Sequence, residues 1–213
     1  MNRQLSLNDK LIMLADNALK TLVGGYQVTS RSNPAHSAAT SELTSDEAKH
    51  SAGLMRINHC GEVCAQALYQ GQALTARLPE VREKMEQAAA EENDHLEWCA
   101  SRLQQLDSRV SLFNPLWYAG SFAIGAVAGA VGDKWSLGFV AETEHQVVRH
   151  LDSHLGKLPE GDHQSRAILA QMREDELHHA TTALAAGGAE LPAPVKSVMH
   201  LMGKVMTSTV YYV

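Results

Sequence analysis

The chain has 213 residues, a net charge of −6, 45% hydrophobic residues and only 5% aromatics. That length fits one domain or one domain with an appendage, and the acidic balance argues against nucleic acid as a partner. Three cysteines without a disulfide-like pattern fit a reducing compartment, and the N-terminus lacks the basic stretch and unbroken apolar core of a secretory leader.

Residues 5–23 carry apolar side chains at helical spacing and stop at Gly24-Gly25. They read as an amphipathic helix, for packing on its own protein, on a partner or on a membrane surface. Residues 26–43, rich in Ser, Thr, Asn and Ala with Asn33-Pro34, read as a linker or loop. Residues 1–44 are thus expected to be an N-terminal helix and linker ahead of a helical domain over 45–213. The first helix of that domain runs from about Ser45, after a Thr44/Glu47 capping-box spacing, to about Arg77. Pro79 opens the second, which reaches about Leu106.

Residues 111–132 contain no charge. A membrane span needs about 20 apolar residues, but this stretch starts with Asn114-Pro115 and is diluted by Gly, Ala and Ser. One span would also put the two halves of the chain on opposite sides of a bilayer. A hydrophobic crossover helix, buried in the protein or dipping into one leaflet, is expected instead, with Trp117, Tyr118 and Phe122 suited to an interface. A third helix follows from about Lys134 to Leu155, with Gly156 as its stop. The fourth runs from about Asp162 to Ala186, and a last helix follows Pro192. Val195, Val198, Leu201, Met202 and Val205 give that last helix a broad apolar surface, for core packing or as an entrance for a lipid-like substrate.

The chemistry is concentrated in Glu-x-x-His pairs, whose members share one helix face. There are five, and their surroundings separate them. Glu47/His50 falls in a capping box, Glu160/His163 in a turn, and Glu142/His145 on a largely polar row. Glu92/His95 and Glu176/His179 project from apolar rows, where an ionised carboxylate is costly unless it is paired or ligates a metal. Glu144 sits in the centre of an apolar face formed by Leu137, Val140, Ala141, Val147, Val148 and Leu151; Glu62 is a less clear-cut fourth acid. The 30-residue gap from Glu62 to Glu92 and the 32-residue gap from Glu144 to Glu176 describe two similar helix hairpins. Each gives one Glu and one Glu-x-x-His, the set that builds a carboxylate-bridged two-metal site in a helix bundle. Four glutamates and two neutral imidazoles would be balanced by two divalent cations, and an oxygen and nitrogen donor set suits iron or manganese better than structural zinc. Singly, each residue is more commonly a surface charge; the ordered set of six points to metal. Cys60 and Cys64 with His59 are a weaker zinc candidate that lacks a fourth ligand. Tyr69, two turns after Glu62 on the same face, is placed to hydrogen-bond near the site.

Taken together, Arg56-Ile-Asn-His-Cys-Gly-Glu62, Glu92-Asn-Asp-His95, Val140-Ala-Glu-Thr-Glu144, Glu174-Asp-Glu-Leu-His-His179 and the uncharged segment between the hairpins resemble the demethoxyubiquinone hydroxylase family over residues 45–213. The resemblance implies an all-α fold, a ferritin-like four-helix bundle with a hydrophobic crossover helix and an extra C-terminal helix. It implies Glu62, Glu92, His95, Glu144, Glu176 and His179 as iron ligands and catalytic residues, with Glu92 and Glu176 bridging and His150 close behind them. Asn58, where Asp is common, and Leu151, where some members have Tyr, depart from the family pattern. The implied reaction is O2-dependent hydroxylation of the ring of a polyprenylated demethoxyubiquinol in ubiquinone biosynthesis, on two iron ions. With no phosphate-binding glycine loop after a strand, the electrons come from an external reductant or directly from NADH. The resemblance further implies a peripheral place on the cytoplasmic side of the cell inner membrane. Other ubiquinone-biosynthesis proteins and further copies of this chain are the partners that fit it. The rival readings are a ferritin- or rubrerythrin-like iron-storage or peroxide-scavenging protein and a metal-free membrane scaffold.

Overall fold

The computed structural model of the chain describes residues 6–40 and 42–213. Its helices are α1 (Leu7–Val23), α2 (Ser45–Thr75), α3 (Pro79–Gln105), α4 (Asn114–Val131), α5 (Asp133–Lys157), α6 (His163–Ala185) and α7 (Ala193–Val210). A short 3-10 turn lies at Pro34–Ser37, and no strand occurs among the described residues. The fold is a ferritin-like helical bundle with an extra C-terminal helix.

Local chemistry sets the helix ends. The Thr44 side chain accepts from the Glu47 amide while Glu47 Oε2 accepts from the Thr44 amide at 2.9 Å, a full capping box. Pro79 starts α3 at a position where a missing N–H costs nothing. Asp162 caps α6 through the Ser165 amide. The expected stop at Gly156 is corrected: α5 continues through it to Lys157. Leu158, with ψ of 142°, is the residue that leaves the helix, because Pro159 behind it disfavours helical geometry.

The bundle is built of α2 against α3 and α5 against α6, closed by α3 on α6 and α2 on α5. Two apolar clusters fill it. One contains Leu54, Met55, Trp98, Leu103, Leu151, Ile168 and Met172. The other contains Tyr69, Val81, Met85, Leu137, Val140 and Ala183. On each of the four helices the acid or Glu-x-x-His pair of interest falls between the residues given to these two clusters. The polar centre is therefore a middle layer with apolar packing above and below. A buried ion pair, Arg102 Nη2 to Asp162 Oδ1 at 2.8 Å, ties the end of α3 to the start of α6.

The crossover helix α4 lies along α2. The expectation that it is buried holds for one face only. Gly71 of α2 abuts the Phe122 carbonyl and the Ala126 amide, and Gly125 of α4 abuts the Leu68 carbonyl, so the two backbones nearly touch. The Thr75 hydroxyl donates to the Ala126 carbonyl at 3.0 Å across the crossing. The far face leaves Leu116, Val127 and Val131 exposed by 69, 65 and 62%. Among the described residues no helix is long and apolar enough to cross a membrane. α4 shares apolar clusters with Ala18 and Leu22 of α1 on one side and with Met206 of α7 on the other.

Residues 26–40 are largely non-helical, as expected, but they are more than a tether. Ala35 is buried in the core with Trp98, Ile168 and Leu169, and the 3-10 turn packs on both α6 and α3.

A Cβ at position 125 would strike backbone, and overpacking of this kind costs about 1–3 kcal/mol. Gly125→Ala is expected to lower stability by that amount, whereas Gly120→Ala, which meets nothing within 4 Å, is expected to raise it by about 0.5–1 kcal/mol through helix propensity. Urea unfolding of the two variants side by side checks the sign of each.

Candidate metal centre

Glu62 from α2, Glu92 and His95 from α3, Glu144 from α5, and Glu176 and His179 from α6 meet in the middle of the bundle, none more than 7% exposed. One ligand atom each from Glu62, Glu92, His95 and Glu176 lies within 4.8 Å of the others. His95 Nδ1 is 3.0 Å from Glu92 Oε2, 3.1 Å from Glu176 Oε1 and 3.7 Å from Glu62 Oε2. His179 Nδ1 is 3.0 Å from Glu176 Oε2 and 3.3 Å from Glu92 Oε1. Glu92 and Glu176 thus lie between the two imidazoles. Glu144 sits beside Glu176, and its Oε1 accepts a hydrogen bond from the Tyr69 hydroxyl.

Packing four carboxylates this closely has a clear electrostatic consequence. Burial pushes Glu62 well above the ordinary carboxylate range, and the nearby Glu92 adds to the shift. Burial does the same to Glu144, reinforced by Glu176 and Glu92. Burial also opposes the charge on Glu92, but His95 and His179 outweigh it and hold that group low. Burial disfavours the charged form of both histidines, yet the carboxylates around them win. His95 is raised well above its usual value by Glu92 and its hydrogen-bond partners. His179 is pushed up to about 12 by Glu176 and Glu92. Without cations, then, burial and mutual repulsion favour the protonated forms of Glu62 and Glu144, and the surrounding carboxylates favour the protonated forms of both imidazoles.

Protons do not satisfy the whole centre. Glu92 Oε1, Glu144 Oε2 and Glu176 Oε1 are buried without a hydrogen-bond partner; Glu176 Oε1 is at ion-pair distance from His95 but lacks hydrogen-bond alignment. Buried carboxylate oxygens in this state are costly, and oxygen donors with two imidazoles suit hard or borderline divalent cations. The residues present fit such ions.

Each histidine is also held from behind. His95 Nε2 is 2.9 Å from Asp175 Oδ2, and His179 Nε2 is 2.7 Å from Glu91 Oε2. A proton on Nε2, donated to these acids, leaves the Nδ1 lone pair facing the cluster, the usual support for a metal-binding imidazole. Sequence reasoning passed over both acids. Each directly precedes a ligand-type glutamate, and helix spacing would pair it with the histidine four residues on. In the fold each reaches across instead, Asp175 of α6 to His95 of α3 and Glu91 of α3 to His179 of α6.

The profile of the family described as "Ubiquinone biosynthesis protein COQ7" matches residues 49–210. The chain belongs to this family. A protein of Chromohalobacter salexigens is 61% identical over 99% of both chains. One of Stutzerimonas stutzeri is 60% identical over 98% of this chain and 97% of its own, and one of Alcanivorax borkumensis is 58% identical over 98% of each. All three bear the name 3-demethoxyubiquinol 3-hydroxylase.

Other family-motif residues fall elsewhere. His150 lies against His154, ring centroids 3.8 Å apart, rather than in hydrogen-bond contact with the six central residues. His154 Nδ1 meets Asn58 Oδ1 at 3.0 Å. Glu142, the acid rejected on its polar row, faces away to Gln146 and Arg149, with Lys196 at 3.7 Å. His59, burial holding its pKa down at about 4, bonds Tyr26 Oη at 3.0 Å. With Cys60 and Cys64 it forms no metal-ready group among the described residues. A narrow crevice between α2 and α5, lined by Ala65, Leu68, Tyr69, Gln72, Val140 and Thr143, reaches Glu144.

Because the surrounding carboxylates raise the pKa of His95 and His179 in the metal-free protein, metal competes with protons for Nδ1. Apparent Fe(II) affinity is therefore expected to rise with pH and binding to release protons. Anaerobic titrations at pH 6.5 and 8.0 in weak buffer, with released protons counted, check this; pH-independent binding would contradict it.

Proposed function

We propose that this chain is a di-iron monooxygenase that hydroxylates the ring of a polyprenylated demethoxyubiquinol to demethylubiquinol with O2, in ubiquinone biosynthesis. The observation that supports it most is the buried set of six oxygen and nitrogen donors with orphaned carboxylate oxygens, in a chain about 60% identical to proteins named for that reaction. Glu62, Glu92, His95, Glu144, Glu176 and His179 would hold two iron ions, with Glu92 and Glu176 between them. Bound as Fe(II), the pair supplies two electrons to O2, so that one oxygen atom enters the ring and the other leaves as water.

The chain's own part follows from its geometry. The carboxylates set the charge at the centre, and the apolar layers on either side exclude bulk water. Tyr69 donates to Glu144 and holds that carboxylate's orientation beside the crevice. The quinol head would reach the irons from this side by opening the crevice, which is closed in this structure, and the isoprenoid tail would run along apolar helix surface. α1, α4 and α7 supply that surface: Ile12, Leu19, Leu116, Val127, Val198 and Leu201 are each more than half exposed. Exposed apolar side chains on three helices support an interaction face, and the reading that goes with it is a peripheral enzyme on the cytoplasmic side of the inner membrane. The two electrons that would return the iron pair to Fe(II) after each turnover come from an external reductant, NADH included. The same exposed layer weighs against an iron-storage or peroxide-scavenging role on this bundle, for which a greasy face has no use.

The deciding experiment is complementation of a ubiquinone-deficient strain that accumulates the demethoxy precursor, with ubiquinone measured by chromatography. Restored ubiquinone is expected; none, from soluble and iron-loaded protein, overturns the proposal. Glu144→Ala is expected to lower turnover by at least about 10²-fold, the range typical of removing a catalytic group, whereas Glu142→Ala keeps it near wild type. Co-sedimentation with liposomes should fall sharply when Leu116 and Val127 are both changed to Asp, and a variant that sediments like wild type argues against the membrane face.

A further inference from the structure

The two histidines of the centre are braced unequally. His179 leans on Glu91, whose side chain is 30% exposed and whose other oxygen meets only Gln87, one turn back on the same helix, at 3.1 Å. His95 leans on Asp175, which is itself gripped on every side: Oδ1 accepts from Gln171 at 3.0 Å, and Oδ2 accepts from both His95 and Arg31. Arg31 does not belong to the four-helix bundle. It comes from the N-terminal segment, outside the part of the chain that the family profile matches.

That segment is fastened where it matters. Thr29 and Arg31 flank a bend at Ser30, and both reach α3, Thr29 at Asp94 and Arg31 at Trp98. The Thr29 amide and hydroxyl donate to Asp94 at 2.7 and 2.6 Å, satisfying a fully buried carboxylate one residue before His95. The Arg31 amide is tied back to the Thr29 hydroxyl at 3.2 Å, and its guanidinium lies 5.0 Å from the centre of the Trp98 ring. On one side Tyr26 is anchored to His59; on the other Ala35 is buried in the core. A planar guanidinium held this way directs one Nη at Asp175 Oδ2.

We propose that Arg31 is a positioning residue that, through Asp175, fixes the His95 ring, so that the N-terminal segment tightens one of the two metal positions and leaves the other to the looser Glu91 brace. This rests on the di-iron reading of the site. It gives residues 26–35 a task in the centre that their loop-like composition hides, and it makes the two metal positions inequivalent in a bundle whose hairpins are otherwise matched.

The test is anaerobic titration of the metal-free, full-length protein with Co(II), followed by its visible absorption, alongside thermal unfolding of the metal-free form. The wild type is expected to take up two ions. Arg31→Ala is expected to weaken one ion by about 10–100-fold, the usual effect of removing the support behind a metal ligand, and to leave the other within about twofold. Glu91→Gln is expected to weaken the ion that Arg31→Ala spares. Arg31→Lys keeps the cation near Trp98, guards against loss of the fold, and should give a smaller loss on the same ion as Arg31→Ala. Equal weakening of both ions together with a lower unfolding temperature would mean that Arg31 merely holds the fold, and the inference is overturned. Unchanged affinities for both ions overturn it as well. A wild type that binds no metal removes the di-iron reading itself, a distinct outcome from failure of the Arg31 variants alone.

Discussion

Four carboxylates share the dry centre of this protein with two imidazoles, and the rest of the structure answers to that crowding. Charges a few ångströms apart interact strongly once water is gone, and Glu62 and Glu144 resist ionising while the two imidazoles hold Glu92 low. In the metal-free protein this crowding favours protons on Glu62, Glu144 and both histidines. Three carboxylate oxygens still lack a hydrogen bond, although two of them lie at ion-pair distance from an imidazole. Such a centre makes physical sense as a place for cations. It also explains why the helices are long and apolar at both ends: the two core clusters hold the α2, α3, α5 and α6 segments together across a layer that would otherwise push them apart.

The seam between α3 and α6 carries the polar ties that brace both histidines. Asp175 and Glu91 cross it in opposite directions to reach the histidines. Arg102 and Asp162 bridge it near one end. The segment from Tyr26 to Ala35 lies over the same seam and adds Thr29 to Asp94 and Arg31 to Asp175. Both Glu-x-x-His pairs belong to these two helices, so bracing this seam aligns the ligand atoms that must sit closest together. Buried polar groups that are fully paired rigidify their surroundings, which is what a metal centre needs from its support.

The outer layer obeys a different rule. α4 can lie on α2 only because glycines remove the side chains at the crossing, and its uncharged outer face is left without a protein partner. α1 and α7 flank it with apolar surface of their own. The acid cluster is thus buried in the bundle while α1, α4 and α7 expose apolar side chains. The crevice beside Tyr69 and Glu144 lies between α2 and α5 and is closed in this structure.

Much of this was legible in the residues themselves. Helical periodicity, capping residues and prolines marked the bundle helices to within a few residues, because those signals act over one turn. Glu92, His95, Glu144, Glu176 and His179 stood out because an acid on an apolar helix face needs a special reason, an anomaly visible without coordinates; Glu62, on a mixed row, was less clear-cut and rested on the matching hairpin spacing and the family resemblance. What sequence could not supply were contacts between residues far apart in the chain. Asp175 and Glu91 look like partners of the histidines on their own helices and turn out to serve the opposite ones. His150 shares the motif region yet faces His154, because rotation about the helix axis decides what a side chain meets. Residues 26–40 have the composition of a linker, and only tertiary packing carries Arg31 across 144 positions to Asp175. Local sequence determines which groups can be buried and on which face; the fold alone decides which of them meet, since hydrogen bonds and ion pairs act over a few ångströms and not along the chain.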